Sequence, residues 1–143
     1  MQRVHDLQGK YERLDRRFDI QGDEAIDADC LLAFEYEYPQ QKAEIVIETD
    51  EFTAVCPWTG LPDFGQLTLR YIPDSLCLEL KSVKYYLNSY RQVGIVQEHA
   101  ANRILQDLVN ACQPQRFTLT LDYKVRGGLH TTVTVGYEKP TGD

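Results

Sequence analysis

The sequence predicts an α+β protein in which an antiparallel sheet carries two helices on one face. Three observations carry this reading. Short runs alternating apolar and polar residues follow the N-terminal stretch and close the chain. Between them lie two stretches whose apolar residues recur at helical spacing. A Gly-Gly pair then splits the last alternating run into two arms, as a hairpin turn does. Strands, then helices, then a hairpin is the order that gathers helices on one side of an antiparallel sheet.

Each element has its own signal. Residues 1–25 are polar and charged without a clean period and are expected to form an N-terminal arm, leaving 26–143 as one domain. Residues 32–38 alternate and stop at Pro39, and 44–48 centre on Ile45-Val46-Ile47, so both read as strands. Residues 56–65 hold two prolines and two glycines and read as a constrained loop. Residues 65–72 set Leu67, Leu69 and Tyr71 against Gln66, Thr68 and Arg70, a third strand. Leu80, Val83, Leu87 and Tyr90 then mark a helix broken by Gly94, with Lys81, Lys84, Asn88 and Arg91 on its other side. A second helix spans about 97–112, with Ala101, Ile104, Leu105, Leu108 and Cys112 as its buried stripe and Pro114 as its stop. Phe117 to Val125 and Leu129 to Tyr137 are the arms of the closing hairpin.

Bulk properties narrow the function. At 143 residues, 43% hydrophobic and 26% charged, the chain suits one globular domain with a real core. No apolar run approaches the roughly 20 residues of a membrane helix, and the N-terminus lacks a signal-peptide core, so a cytoplasmic protein is expected. A net charge of −7 favours a small-molecule substrate over nucleic acid, because gripping phosphates normally takes a basic face. Cys30, Cys56, Cys77 and Cys112 lie far apart with no C-x-x-C spacing, against a disulfide framework or a zinc site.

Four segments could carry chemistry. Cys56 opens a stiff loop that holds a carboxylate, Asp63, near its end, which suits a nucleophile and a proton donor. Such a cysteine needs a nearby cation or helix N-terminus to raise its thiolate fraction. A buried packing cysteine is the plainer alternative. Lys81, Lys84, Asn88 and Arg91 are a solvated stripe on the simple reading and a phosphate site on the functional one. Glu79, just before that helix, could accept hydrogen bonds from a ligand or favour the helix N-terminus. Gln97-Glu98 could meet the donor and acceptor edge of a purine-like ring. In Arg126-Gly127-Gly128 the turn explains both glycines; it does not require the arginine, which could clamp a phosphate.

Together these segments resemble the single-domain QueF family, the 7-cyano-7-deazaguanine (preQ0) reductases, from about Glu51 to Gly128. Cys56-Pro57-Trp58-Thr59-Gly60-Leu61-Pro62-Asp63-Phe64 is similar to the family's active-site loop. Glu79-Leu80-Lys81-Ser82-Val83-Lys84-Tyr85-Tyr86 is similar to its cofactor motif. The resemblance implies a tunnelling fold (T-fold) whose subunits assemble into a barrel, with rings pairing and active sites between subunits. It implies that Cys56 adds to the nitrile carbon of preQ0 while Asp63 protonates the nitrogen, giving a thioimide that two NADPH reduce to preQ1, with no metal. It also implies that Leu78, Glu79 and Leu80 line the base and that Gln97 and Glu98 meet it from the other side. Leu80, Lys81, Arg126 and Gly127 would hold NADPH, with Lys84 close by. One departure stands out: many members have His-Glu where this chain has Gln97-Glu98. His99, two positions on, points about 200° away on a helix and is a poor substitute.

Three rivals remain. A QueF-like amidinotransferase acting on preQ0 in tRNA would share Cys56 and Asp63, but the Lys81/Lys84 motif and the acidic balance oppose it. A zinc-dependent cyclohydrolase would need a Cys/His cluster that histidines 5, 99 and 130 do not supply. A non-catalytic T-fold binding module has no use for Cys56 with Asp63.

Overall fold

The computed structural model describes residues 2–14 and 19–142. A short helix, α1 (Gln8–Leu14), buries none of its residues. The strands are β1 (Ala33–Glu35), β2 (Ile45–Val55), β3 (Pro62–Ile72), β4 (Leu76–Leu78), β5 (Arg116–Tyr123) and β6 (Thr132–Glu138). Between β4 and β5 run the helices α2 (Leu80–Asn88) and α3 (Gln97–Cys112). β2, β3, β5 and β6 form an antiparallel sheet in that order, while β1 and β4 pair separately.

Alternation makes the sheet two-sided. Leu67, Leu69 and Tyr71 of β3 oppose Leu121, Leu119 and Phe117 of β5, and all six are buried. Gln66, Thr68 and Arg70 take the other face. Tyr71 stacks on Phe117 at 5.2 Å, adding a directional contact to the area the two rings bury. The helices cover the apolar face: Val83 and Tyr86 of α2 and Ala100, Ala101, Ile104, Leu108 and Cys112 of α3 join the same core. α3 has the predicted bounds and ends on Gln113 in the left-handed conformation, followed by Pro114.

Several boundaries differ from expectation, each for a physical reason. The strand expected at 32–38 shrinks to Ala33–Glu35, because its partner β4 offers only three residues. β2, expected at 44–48, runs on to Val55. Its register slips by one residue between Thr49 and Phe52, so that Phe52 and Ala54 take over the core side from Ile45 and Ile47. A bulge of this kind exchanges the two faces of a strand, which simple alternation cannot anticipate. The loop expected at 56–65 closes by Leu61: Pro62, Asp63, Phe64 and Gly65 already belong to β3.

α2 ends at Asn88, well before Gly94, and Leu80 is 58% exposed rather than part of the buried stripe. Gly94 has a different use. A Cβ there would lie 2.4 Å from Ile20 and 3.1 Å from the Pro57 backbone, so glycine is what lets segment 93–95 run against the end of β2. The same segment holds Gln21, whose N–H donates to the Gln92 carbonyl and whose own carbonyl accepts from Gly94. In the closing hairpin the ladder stops at Asp122–Thr132. Val125 and Leu129 therefore sit exposed in its tip, where Gly127 (φ +60) and Gly128 (φ +79) make the turn.

Candidate active site

Cys56 directly follows the last residue of the bulged strand β2, and its placement is over-determined. Its N–H donates to the Leu61 carbonyl at 2.9 Å, and its carbonyl accepts from Gly60 at 2.8 Å. Gly60 has φ +76, a conformation that costs glycine little. The preceding residue, Val55, is bonded on both sides to Val93 and Ile95. The thiol is consequently fixed at the mouth of a six-residue turn and is only 7% exposed.

Burial is the largest single influence on this thiol and pushes it up. It is outweighed by the Thr59 side chain, the backbone N–H groups of Thr59 and Trp58, and the charge of Arg126, which together hold it below the ordinary cysteine range. By contrast burial leaves Cys30, Cys77 and Cys112 above it. Among the four cysteines, Cys56 is the one prepared to react. The contribution of Thr59 is not legible in composition; a hydroxyl three residues after a cysteine in a tight turn is the signal that would have found it.

Asp63 sits on β3 opposite Ala54, so its side chain turns inward, and it is 5% exposed. Arg126 reaches it from the β5–β6 hairpin tip, with Nη1 2.5 Å from Oδ1. Gln97 and Glu98 begin α3, and the hydroxyl of Tyr123 on β5 donates to the Gln97 carbonyl at 3.2 Å. Burial raises the Tyr123 phenol strongly, with the charges of Asp63 and Glu98 adding to it, a sign of how close these groups lie. Cys56, Asp63, Gln97, Glu98 and Arg126, with Pro57, Trp58 and Val96, line one cavity of about 190 Å³.

The other expected residues lie elsewhere. Glu79 is the N-cap of α2: the backbone N–H groups of Lys81 and Ser82 donate to its two carboxylate oxygens at 2.8 and 2.7 Å. Those two bonds hold its carboxyl below the usual range, so Glu79 is ionised and oriented. Leu78, Glu79 and Leu80 line a cleft with Ile45, Val46 and Ile47, at the start of β2. Leu80 and Lys84 line a neighbouring cleft with Val83, Leu87, Asn88 and residues of mid-β2. Lys81 is exposed beside them. Eleven residue steps of extended strand put the start of β2 roughly 35 Å from Cys56. Gly127 carries no side chain and stands in open space at the hairpin tip.

A family model described as QueF-like protein matches residues 62–142. A protein of Caldanaerobacter subterraneus is 54% identical over 125 residues, spanning 87% of this chain and 93% of that one. This chain belongs to the QueF family. A relative from Caldicellulosiruptor bescii is 52% identical, with 93% and 100% of the two chains covered. One from Chlorobaculum tepidum is 49% identical, with 80% and 97% covered. All three carry the name NADPH-dependent 7-cyano-7-deazaguanine reductase. Among solved structures, the archaeosine synthase QueF-Like in its apo form matches with a TM-score of 0.64 and 22% identity, covering 71% of this chain and 99% of that one. At that identity the likeness concerns the fold: the QueF architecture accommodates this chain's sheet and helices. Among the described residues no helix is long and apolar enough to cross a membrane.

Proposed function

We propose that the chain is an NADPH-dependent nitrile reductase that converts preQ0 to preQ1 in queuosine biosynthesis. The observation that carries this is the meeting of a thiol held below its ordinary range with a buried carboxyl, Asp63, in one cavity. A thiolate adds to a nitrile carbon only if the nitrogen receives a proton, so the two groups answer one chemical need.

In the reaction Cys56 forms the C–S bond while Asp63 delivers a proton to nitrogen, giving a thioimide. NADPH supplies one hydride to each of two reductions, since nitrile to primary amine takes four electrons. Between them the C–S bond breaks and Cys56 leaves as a thiolate, stabilised by Thr59 and the turn's N–H groups. Gln97 and Glu98 hold the base by its polar edge. The residues assigned to the cofactor suit parts of it: Lys81, Lys84 and Arg126 supply cations for phosphates, and Leu80 supplies an apolar surface for a ring. Glu51, which lines the Lys84 cleft, disfavours phosphate in its own vicinity.

Distance supports an assembly with sites between subunits. A cavity of about 190 Å³ is smaller than the roughly 300 Å³ at which ligand pockets begin. Its missing wall lies outside it, with Leu78 and Glu79 beside the start of β2 and Leu80 and Lys84 reaching its middle. A second copy of the chain, joined edge to edge in a T-fold barrel, brings one copy's Glu79 to the other's Cys56. Stacked rings of such subunits would close the sites.

NADPH oxidation with preQ0 tests the reading. About two NADPH consumed per nitrile supports it, as four electrons require. Ammonia incorporation instead would make the chain an amidinotransferase, and neither outcome would leave a binding module.

A further inference from the structure

The pair Gln97-Glu98 has to be aimed, and little on its own helix aims it. Val96, the N-cap of α3, makes no side-chain capping bond. Glu98 is exposed, and among the described residues its carboxyl meets neither a hydrogen-bond nor an ion-pair partner. Its direction is therefore set by the backbone that carries it. The Glu98 carbonyl accepts from Asn102 Nδ2 at 2.8 Å, a bond within the helix. The Gln97 carbonyl accepts from the Tyr123 hydroxyl at 3.2 Å, and that bond comes from the sheet. Tyr123 is suited to hold a direction. It is 2% exposed, it pairs with Gly65 across the β3–β5 ladder, and its N–H donates to the Thr131 carbonyl at 3.0 Å. Burial raises its phenol, with the charges of Asp63 and Glu98 adding to it, so the O–H keeps its proton and stays a donor. Gly65 lies two residues from Asp63 on β3, so the ring stands between the strand that carries the acid and the helix that carries the base-holding pair.

We infer that Tyr123 is a positioning residue for base recognition: through the Gln97 carbonyl it sets the first turn of α3, so that Glu98 meets the N–H edge of preQ0 and rejects a base with fewer donors on that edge. The inference rests on the reductase reading and deepens it. A carboxylate only accepts, so its partners on the base are N–H groups, and the exocyclic amine of preQ0 is one of them. A site that holds an acceptor ready for such a donor discriminates against the analogue that lacks it, provided the acceptor is kept in place.

The test compares two ligands, preQ0 and its counterpart without the exocyclic amine, 7-cyano-7-deazahypoxanthine, by isothermal calorimetry on the whole protein. Cys56→Ala serves as the parent, so that neither nitrile forms an adduct. The parent prefers preQ0. Adding Tyr123→Phe shrinks that preference about threefold by weakening preQ0 binding, a modest loss because the bond is long for an O–H donor. p-Aminophenylalanine at position 123 keeps a donor there and recovers the preference. A parent without preference overturns the inference, as does a preference that Tyr123→Phe leaves unchanged, whether or not both ligands weaken together. preQ0 that neither binds the parent nor forms an adduct with the native protein overturns the reductase reading as well. Should Tyr123→Phe fail to fold, p-fluorophenylalanine at position 123, which fills the hydroxyl's space without donating, takes its place in the comparison.

Discussion

The two regions that share the expected ligand contacts are built by opposite means. Around Cys56 a short turn is joined by distant segments: a carboxyl from β3, an arginine from a hairpin sixty-three residues beyond that carboxyl, and the start of α3. Around Glu79 the construction is local, a carboxylate capping its own helix two and three residues away. The first region is buried and prepared for bond making. The second is open, charged and shaped to receive. A reactive thiol must be shielded and tuned by neighbours, whereas a cation stripe that meets phosphates works best exposed.

Breaking the first region should show the largest effect. Cys56→Ala removes the nucleophile, so turnover and the covalent adduct both vanish; mass spectrometry of protein mixed with preQ0 checks this, and an adduct in the variant would point to another thiol. Asp63→Asn should slow turnover about 10²-fold or more while preQ0 still binds, since a missing general acid costs rate rather than affinity. Steady-state kinetics beside a binding isotherm separates the two.

Joining the regions gives a smaller but sharper effect. If each site takes Cys56 from one subunit and Glu79 from another, mixing inactive Cys56→Ala with inactive Glu79→Ala and reassembling them restores about a quarter of the sites. No recovery from mixed oligomers would place the whole site within one chain, against the distance along β2.

The smallest effect lies in the cap itself. Its carboxyl is held below the usual range by the two N–H bonds, so it stabilises the fold fully above its unfolded pKa of 4.5. That contribution is lost as pH falls from there through the folded value. Glu79→Gln should lower the melting temperature modestly at pH 7 and make the difference from the native protein shrink towards acid. A difference independent of pH would mean that the capping charge contributes nothing.

Much of this was legible in the chain before folding. Period-2 and period-3.6 patterns located β3, α3 and the hairpin turn, because burial on one face writes its period into the residues that face it. Cys56 and Asp63 stood out as a candidate nucleophile and acid in one short segment, and they line one cavity; Glu79 stood out as a cap or a ligand, and it caps α2. The bulge in β2 was not, since an extra residue exchanges the strand's faces and cancels the alternation that would reveal it. Nor was the end of α2 or the task of Gly94, whose missing Cβ matters only beside Ile20 and Pro57.

By itself, then, the sequence determined which residue types were available for chemistry and where the regular elements would form, because propensity, capping and periodicity act between near neighbours. Only the tertiary structure decided that Arg126 sits on Asp63, that Thr59 supports the thiol, and that Glu79 lies far along β2 from Cys56. The first and last depend on segments distant in the chain, set by strand register and helix packing, and the second on how the turn after β2 closes.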